Sequence, residues 1–172
     1  MNPKSFSSLL LFGLALLAGC TTAGPAITSH ADTGVPFAGY KSFMLLNPRG
    51  LAPERDPAVT PGLVREMREE VGRAFAAKGL TKSPNGYADV MILVHGSLQD
   101  KLEVNDWGLR YGRLGGRQEI NAYKQGALYV DVFDGQTREL VWRGTAVAQV
   151  DALPAPDQLK AAVNSIIARY PN

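Results

Sequence analysis

Two segments of the chain repeat apolar residues at the three- and four-residue spacing of an amphipathic helix. The first begins at Thr60 and Pro61, a capping residue followed by a residue suited to the first turn, and ends at Gly79. The second runs from Asp157 to Tyr170, where Pro171 stops it. The apolar faces comprise Leu63, Val64, Met67, Val71, Ala74 and Phe75 in the first helix, and Leu159, Val163, Ile166, Ile167 and Tyr170 in the second.

The period of the apolar positions changes to two between these helices, which indicates β-strands. Long strands are predicted from Ala88 to Gln99, from about Ala122 to Phe133 and from about Arg138 to Val150, with a shorter one over Tyr40–Leu46. Ala26–His30 is a candidate edge strand. The apolar phase of the long strands comprises Val90, Ile92, Val94, Leu98, Leu128, Val130, Val132, Leu140, Trp142, Ala146 and Ala148. One face of the predicted sheet is therefore apolar.

Both helices can bury their apolar faces on that side of the sheet, so the pattern predicts an α+β fold: a two-layer sandwich with a largely antiparallel or mixed sheet and a polar outer face. Asp134-Gly135 marks the turn between the last two strands. Val132 and Leu140 share the apolar phase, and cross-strand partners lie on the same face. The hairpin therefore needs a loop of three or five residues, or a bulge.

The first residues of the chain have the layout of a secretory signal. Lys4 is followed by an apolar stretch from Leu9 to Ala18 and then by Gly19 and Cys20. A transmembrane helix is the alternative, but this stretch is about half of the roughly 20 residues needed to span a bilayer. The string Leu17-Ala18-Gly19-Cys20 resembles the lipobox of bacterial lipoproteins.

That resemblance implies cleavage between Gly19 and Cys20 and acylation of Cys20, which anchors the protein to a membrane through its N-terminal lipid. Thr21, in place of aspartate, resembles the signal for the periplasmic face of the outer membrane. Residues 1–19 are then the signal peptide, residues 20–36 a flexible tether rich in small residues, and residues 37–172 a single domain.

Composition excludes several classes of function. The 172 residues include 18 basic and 16 acidic side chains, with no basic stripe, so we expect no nucleic-acid partner. Cys20 is the one cysteine, which leaves no thiol for a disulfide, a nucleophile or a thiolate metal site once it is acylated. We expect no metal and no cofactor. The oligomeric state is left open by the sequence.

Three stretches of the chain resemble the DUF4136 family of bacterial lipoproteins. They are ADVMILVHG from Ala88, YKQGALYVDVFDGQTRELVWRGTA from Tyr123, and the closing LKAAVNSIIARYP. The resemblance implies an envelope lipoprotein with an α/β fold, and it carries no catalytic residues, because the biochemical role of the family is unassigned.

His95, Asp131 and Arg143 fall on the predicted polar face, on three consecutive strands. If the first hairpin is symmetric about Arg113, His95 and Asp131 lie opposite each other. A histidine beside a carboxylate can begin an acid–base site, but no motif supplies a nucleophile. An ion pair on a polar surface is the alternative that we favour.

A glycine-rich segment, Asp106–Gly116, is a second candidate for contact with a partner. Trp107, Arg110, Tyr111 and Arg113 could press against a partner, lipid head groups or envelope polymers, and a plain hairpin connection is the alternative. The leading hypothesis is a non-enzymatic, tethered module that binds an envelope protein or polymer. A carrier or sensor of a small or lipidic ligand, and a hydrolase using His95 and Asp131, are the other hypotheses.

Overall fold

The structure, a computed structural model, describes residues 24–47, 60–84, 86–106, 118–150 and 154–171, with the backbone alone at 102–106 and 118–121. Within them the chain forms two helices and six strands. In chain order these are β1 (Ala26–Ala31), β2 (Ser42–Leu45), α1 (Pro61–Ala77), β3 (Thr81–Lys82), β4 (Val90–Asp106), β5 (Gln118–Asp134), β6 (Leu140–Val150) and α2 (Pro156–Ile167). None of the helices in these residues is long and apolar enough to cross a bilayer.

The strands make one mixed sheet in the order β1-β6-β5-β4-β2-β3. The β1–β6, β6–β5 and β5–β4 pairs are antiparallel, whereas β2 is parallel to both β4 and β3. The apolar faces of α1 and α2 share one core with the helix side of the sheet. The α+β two-layer sandwich predicted from the sequence is thus confirmed.

The helix boundaries follow from local chemistry. The Thr60 side chain accepts a hydrogen bond from the backbone nitrogen of Leu63 at 3.2 Å, which caps α1 as predicted. Gly79 ends this segment with a φ of +94°, a conformation that glycine adopts without strain. At the start of α2, the Gln158 side chain accepts from the backbone nitrogen of Ala155 at 3.1 Å.

Aromatic rings fill the core between the helices and the sheet. The Trp142 ring lies edge-on to Tyr170, with centroids 5.3 Å apart, and Tyr170 also packs on Phe75 at 5.0 Å. Gly144 makes this packing possible, because a Cβ there would lie 2.3 Å from Trp142 and 2.4 Å from Ile166 of α2. The small residue lets the helix approach the sheet.

The β5–β6 hairpin contains a bulge, which is one of the alternatives that the parity of the pattern allowed. Residues 135–139 connect the strands, and a bulge shifts the register after the pair Val132–Trp142, so that Phe133 pairs with Leu140. Val141 is the extra residue, and it is buried. Because the bulge intervenes, Leu140 shares its row with Phe133, and the expectation that it faces the same way as Val132 is wrong.

The N-terminal boundary of the domain also differs from the expected one. Ala26–Ala31 forms β1 and pairs antiparallel with β6, from Ala26–Val147 to Ala31–Trp142. The sequence places these residues in a tether that ends at Pro36, although it also allows an edge strand there. The ordered sheet therefore begins inside the predicted tether, because backbone pairing with β6 orders a segment that has little apolar periodicity.

Candidate functional site

The face of the sheet opposite the helices, which we term the open face, brings together His95 of β4, Asp131 of β5 and Arg143 of β6. Asp131 lies directly opposite Arg143. His95, however, pairs with Tyr129, and Leu93 pairs with Asp131. The expected direct pairing of His95 with Asp131 is therefore wrong by two residues, yet the two side chains still meet diagonally on the same face.

The Asp131 carboxylate is the centre of this group, which we term the carboxylate cluster. Arg143 donates from Nε to Oδ1 at 2.6 Å and from Nη2 to Oδ2 at 2.7 Å. His95 Nε2 lies 3.2 Å from Oδ2. The exposed fraction rises from 4% for the Asp131 side chain to 16% for His95 and 46% for Arg143. A buried carboxylate thus holds a guanidinium that is partly open to solvent.

The charges in the cluster stabilise one another. Burial acts to raise the pKa of Asp131, but the hydrogen bonds from His95 and Arg143 and the charge of Arg143 outweigh it, so the pKa lies below its ordinary value. The hydrogen bonds to Asp131 raise the pKa of Arg143. The cluster is therefore an ionised carboxylate paired with a guanidinium at neutral pH.

The position of His95 limits what the cluster can do chemically. Because an ionised carboxylate only accepts hydrogen bonds, Nε2 of His95 carries the proton at this contact. The ring stacks on Tyr129, with centroids 4.9 Å apart and an interplanar angle of 12°. In the described part of the chain, no hydroxyl group bonds to the imidazole, and no three metal-ligating side chains are grouped to hold an ion. The histidine–carboxylate contact that a hydrolase would use is therefore present, but no described hydroxyl group bonds to His95 as a nucleophile would.

The open face is less polar than the sequence suggests. Met91 and Leu93 lie on it and are 9% and 6% exposed, outside the core that the helices cover. Met44 and Phe133 flank Met91 in the same row. The expectation of a polar outer face is wrong for this part of the sheet. The unbroken apolar run from Val90 to Val94 was the available signal, since it is typical of a strand buried on both faces.

Six other residues singled out from the sequence stay predictions. Cys20, Gly19, Trp107, Arg110, Tyr111 and Arg113 lie outside the described residues. His30 of β1 pairs with Arg143 and so lies on the same face of the sheet, but its side chain is exposed, with Nε2 3.5 Å from Asp32.

Sequence reasoning missed a second charged group, at the surface where α1 meets the start of α2. Glu70 is 6% exposed and accepts two hydrogen bonds from Arg73, one of them from Nε at 2.9 Å. An open depression of about 210 Å³ lies beside this pair, with Asp157 and Lys160 on its α2 side. Charged residues on the outer face of an amphipathic helix are ordinary, so the sequence carried no separate signal for this pair.

The sequence and the fold both have relatives. The model of the family described as "Domain of unknown function (DUF4136)" matches residues 27–172. Comparison with curated proteins finds no match. Among solved structures, a PDZ domain protein from Parabacteroides distasonis is 14% identical with a TM-score of 0.58, and the match covers 84% of this chain but 35% of that protein. This likeness supports the fold alone.

Two further structures are similar at lower TM-scores. A DUF4136 family protein from Bacteroides thetaiotaomicron is 12% identical with a TM-score of 0.48, over 86% of this chain and 96% of that one. PelC from Paraburkholderia phytofirmans, solved as a dodecamer, is 10% identical with a TM-score of 0.48, over 84% of this chain and 95% of that one.

Proposed function

The chain belongs to the DUF4136 family, a domain of unknown function, and from this premise we propose that it is a lipoprotein of the bacterial envelope. Acyl groups on Cys20 hold it at the periplasmic face of the outer membrane. There it acts as a non-enzymatic module that binds an envelope protein or polymer through the open face of its sheet.

The N-terminal sequence supports the anchor. The lipobox ends at Cys20, and β1 begins at Ala26, so a short segment joins the lipid to the sheet. Two or more acyl chains hold a protein stably on a membrane, whereas one chain does so only marginally. The domain therefore lies close to the lipid surface.

The observation that carries the binding role is the way Asp131 holds Arg143. Both oxygens of the nearly inaccessible Asp131 carboxylate accept hydrogen bonds from the Arg143 guanidinium. The exposed edge of the guanidinium is therefore fixed in place before any partner binds. Fixing a side chain in advance reduces the entropy lost on binding. Tyr129 lies on the same face, diagonal to Arg143 across β5 and β6, and both arginine and tyrosine are enriched among the residues that dominate binding energy at interfaces.

The same geometry favours a binding role over catalysis. The Asp131 carboxylate is shared between Arg143 and His95, and its low pKa makes it a weak base. The interior between helices and sheet is packed by the rings of Phe75, Trp142 and Tyr170. That packing favours docking on the surface over a ligand carried inside.

Photo-crosslinking in living cells tests the open face. A photo-reactive amino acid at Thr145, which pairs with Tyr129 on this face, should form a discrete crosslinked species with an envelope component. Adding Arg143→Ala should lower the yield about tenfold, which corresponds to a loss of about 1.4 kcal/mol of binding free energy. The measurement is the crosslinked fraction on an immunoblot, with the melting temperature of each variant as a check on folding.

The matched control places the same probe at Glu69, an exposed residue of α1 on the other side of the molecule. It should yield no such species. No crosslink from Thr145, or equal crosslinking from both positions, would contradict docking on the open face.

A further inference from the structure

The guanidinium of Arg143 has hydrogen-bond donors that Asp131 does not use. Nε and Nη2 each donate to one oxygen of the Asp131 carboxylate, at 2.6 and 2.7 Å. A guanidinium has five N–H groups in one plane, so three stay free. Two of these three, one on each terminal nitrogen, are parallel and match the two oxygens of an oxyanion. Solvent can reach them, because the Arg143 side chain is 46% exposed.

The charges around Arg143 leave room for an anionic group. The Asp131 side chain is 4% exposed, so a partner meets the guanidinium and not the carboxylate behind it. Among the described residues, Arg143 forms an ion pair with Asp131 and with no other carboxylate. The next row of the open face carries hydroxyl groups and rings and no carboxylate: Thr28, Thr145, Tyr129 and His95.

The row of Arg143 itself continues to the edge of the sheet without a negative charge. Arg143 lies between Asp131 and His30, and the His30 side chain is 83% exposed. The carboxylate of Asp32, which follows β1, lies 3.5 Å from Nε2 of His30. The approach to Arg143 from solvent therefore passes an imidazole and not a free acid.

The pairing with Asp131 also selects the kind of anion. The two charges cancel, so the pair offers directed N–H groups with little net charge. A phosphate monoester carries a charge of about −1.5 to −2 at pH 7 and is matched by several cationic groups. A carboxylate carries a single charge, and its two oxygens lie in one plane with the guanidinium in a bidentate contact. A carboxylate is therefore the better fit.

Apolar side chains on the open face lie next to this pair. Phe133 is two residues from Asp131 along β5, and Met44 and Leu140 lie in the same row as Phe133. All three are half-buried. Methionine, aromatic residues and arginine are enriched at interfaces between proteins. A peptide segment can place an apolar side chain here beside its carboxylate, whereas a chain of acidic sugars offers mainly hydroxyl groups.

We propose that Arg143 binds an aspartate or glutamate side chain of an envelope protein, whose two carboxylate oxygens accept from the free terminal N–H groups. This inference rests on the proposed docking at the open face and specifies the chemistry of the partner. Asp131 is a positioning residue in it, because it holds the guanidinium in the orientation that the partner meets. A lysine cannot replace Arg143, since an ammonium group does not present two parallel donors.

The crosslink from Thr145 tests the need for a guanidinium. Arg143→Lys keeps the charge but not the parallel donors, so it should lower the crosslinked yield about tenfold, as Arg143→Ala does. Lys124→Ala is the matched control. Lys124 is 50% exposed and lies in the phase of β5 that faces the helices, so its loss should leave the yield unchanged. A wild-type yield from Arg143→Lys, or an equal fall in Lys124→Ala, would overturn the proposal.

A double-mutant cycle with the partner tests the carboxylate. Mass spectrometry of the crosslinked species identifies the partner segment and its acidic residues. Changing the recognised residue to its amide should lower the wild-type yield about tenfold and leave the low yield of Arg143→Ala unchanged, because the two groups act as one contact.

The outcomes separate this inference from the docking that it rests on. Losses that multiply in the double variant would overturn the contact, as would a crosslinked segment without an acidic residue or a crosslinked sugar polymer. In each of these cases, docking on the open face would stand. No crosslink from Thr145 in the wild type would contradict the docking itself, and this inference with it.

Discussion

Replacing Trp142 with alanine will lower the free energy of unfolding by about 3–5 kcal/mol, the largest loss that we expect from a single side chain here. Trp142 is 1% exposed and packs on Tyr170, and its ring and Ile166 of α2 both border the space over Gly144. Its removal leaves a cavity that the two-layer core cannot refill without moving α2. Urea denaturation at constant m-value measures the loss.

Trp142→Phe is the matched control. Nε1 of Trp142 is buried and has no hydrogen-bond partner among the described residues. The phenylalanine variant therefore loses ring volume but no hydrogen bond. Its loss in free energy of unfolding should be well under half of the loss in the alanine variant. Equal losses in the two variants would contradict the account in which packing of an aromatic ring at this position stabilises the core.

Replacing Asp131 with asparagine will cost about 2–3 kcal/mol at pH 7, because Arg143 and His95 lose the charge that they share. The figure lies below the roughly 3–5 kcal/mol typical of breaking a fully buried ion pair, since the Arg143 side chain is partly exposed and can turn towards water. The cost depends on pH. The folded pKa of Asp131 is depressed, so the wild-type advantage is complete above the unfolded pKa of about 3.9 and is lost as the pH falls through the folded value.

Asp100→Asn is the control for this experiment. Asp100 also forms an ion pair, with Lys124 at 3.2 Å, but its side chain is 86% exposed. Exposed pairs contribute little, so this variant should match the wild type to within about 0.5 kcal/mol at both pH values. Denaturation curves at pH 7 and pH 3 decide the point. A constant cost of Asp131→Asn at the two pH values would contradict the role of its charge.

The layers of the fold could be predicted because the apolar periods are strong. Helix capping at Thr60 and the alternation from Leu128 to Val132 are local signals, and they suffice to place two helices on one face of a sheet. The order of the strands is not local. Whether β2 lies beside β4, and β1 beside β6, depends on contacts between distant segments that one sequence does not encode as a pattern.

The candidate site could be predicted only in part, because the face on which a residue lies is a local signal and the strand register is not. The alternation of side chains along the strands placed His95, Asp131 and Arg143 on one face of the sheet. Any register that keeps the apolar residues of β4 and β5 on the other face leaves His95 and Asp131 on this one. The register of β4 with β5 depends on the connection between them, so the direct partners were missed by two residues. The burial of Asp131 and the stacking of Tyr129 on His95 depend on neighbouring side chains and had no separate signal.

The intact mass of the protein purified from native membranes tests the anchor most directly. We predict a chain that begins at Cys20 and carries a diacylglycerol and an amide-linked acyl group. A mass that includes residues 1–19, or one that begins at Cys20 with an unmodified thiol, would contradict the account of a domain held at the membrane by lipid.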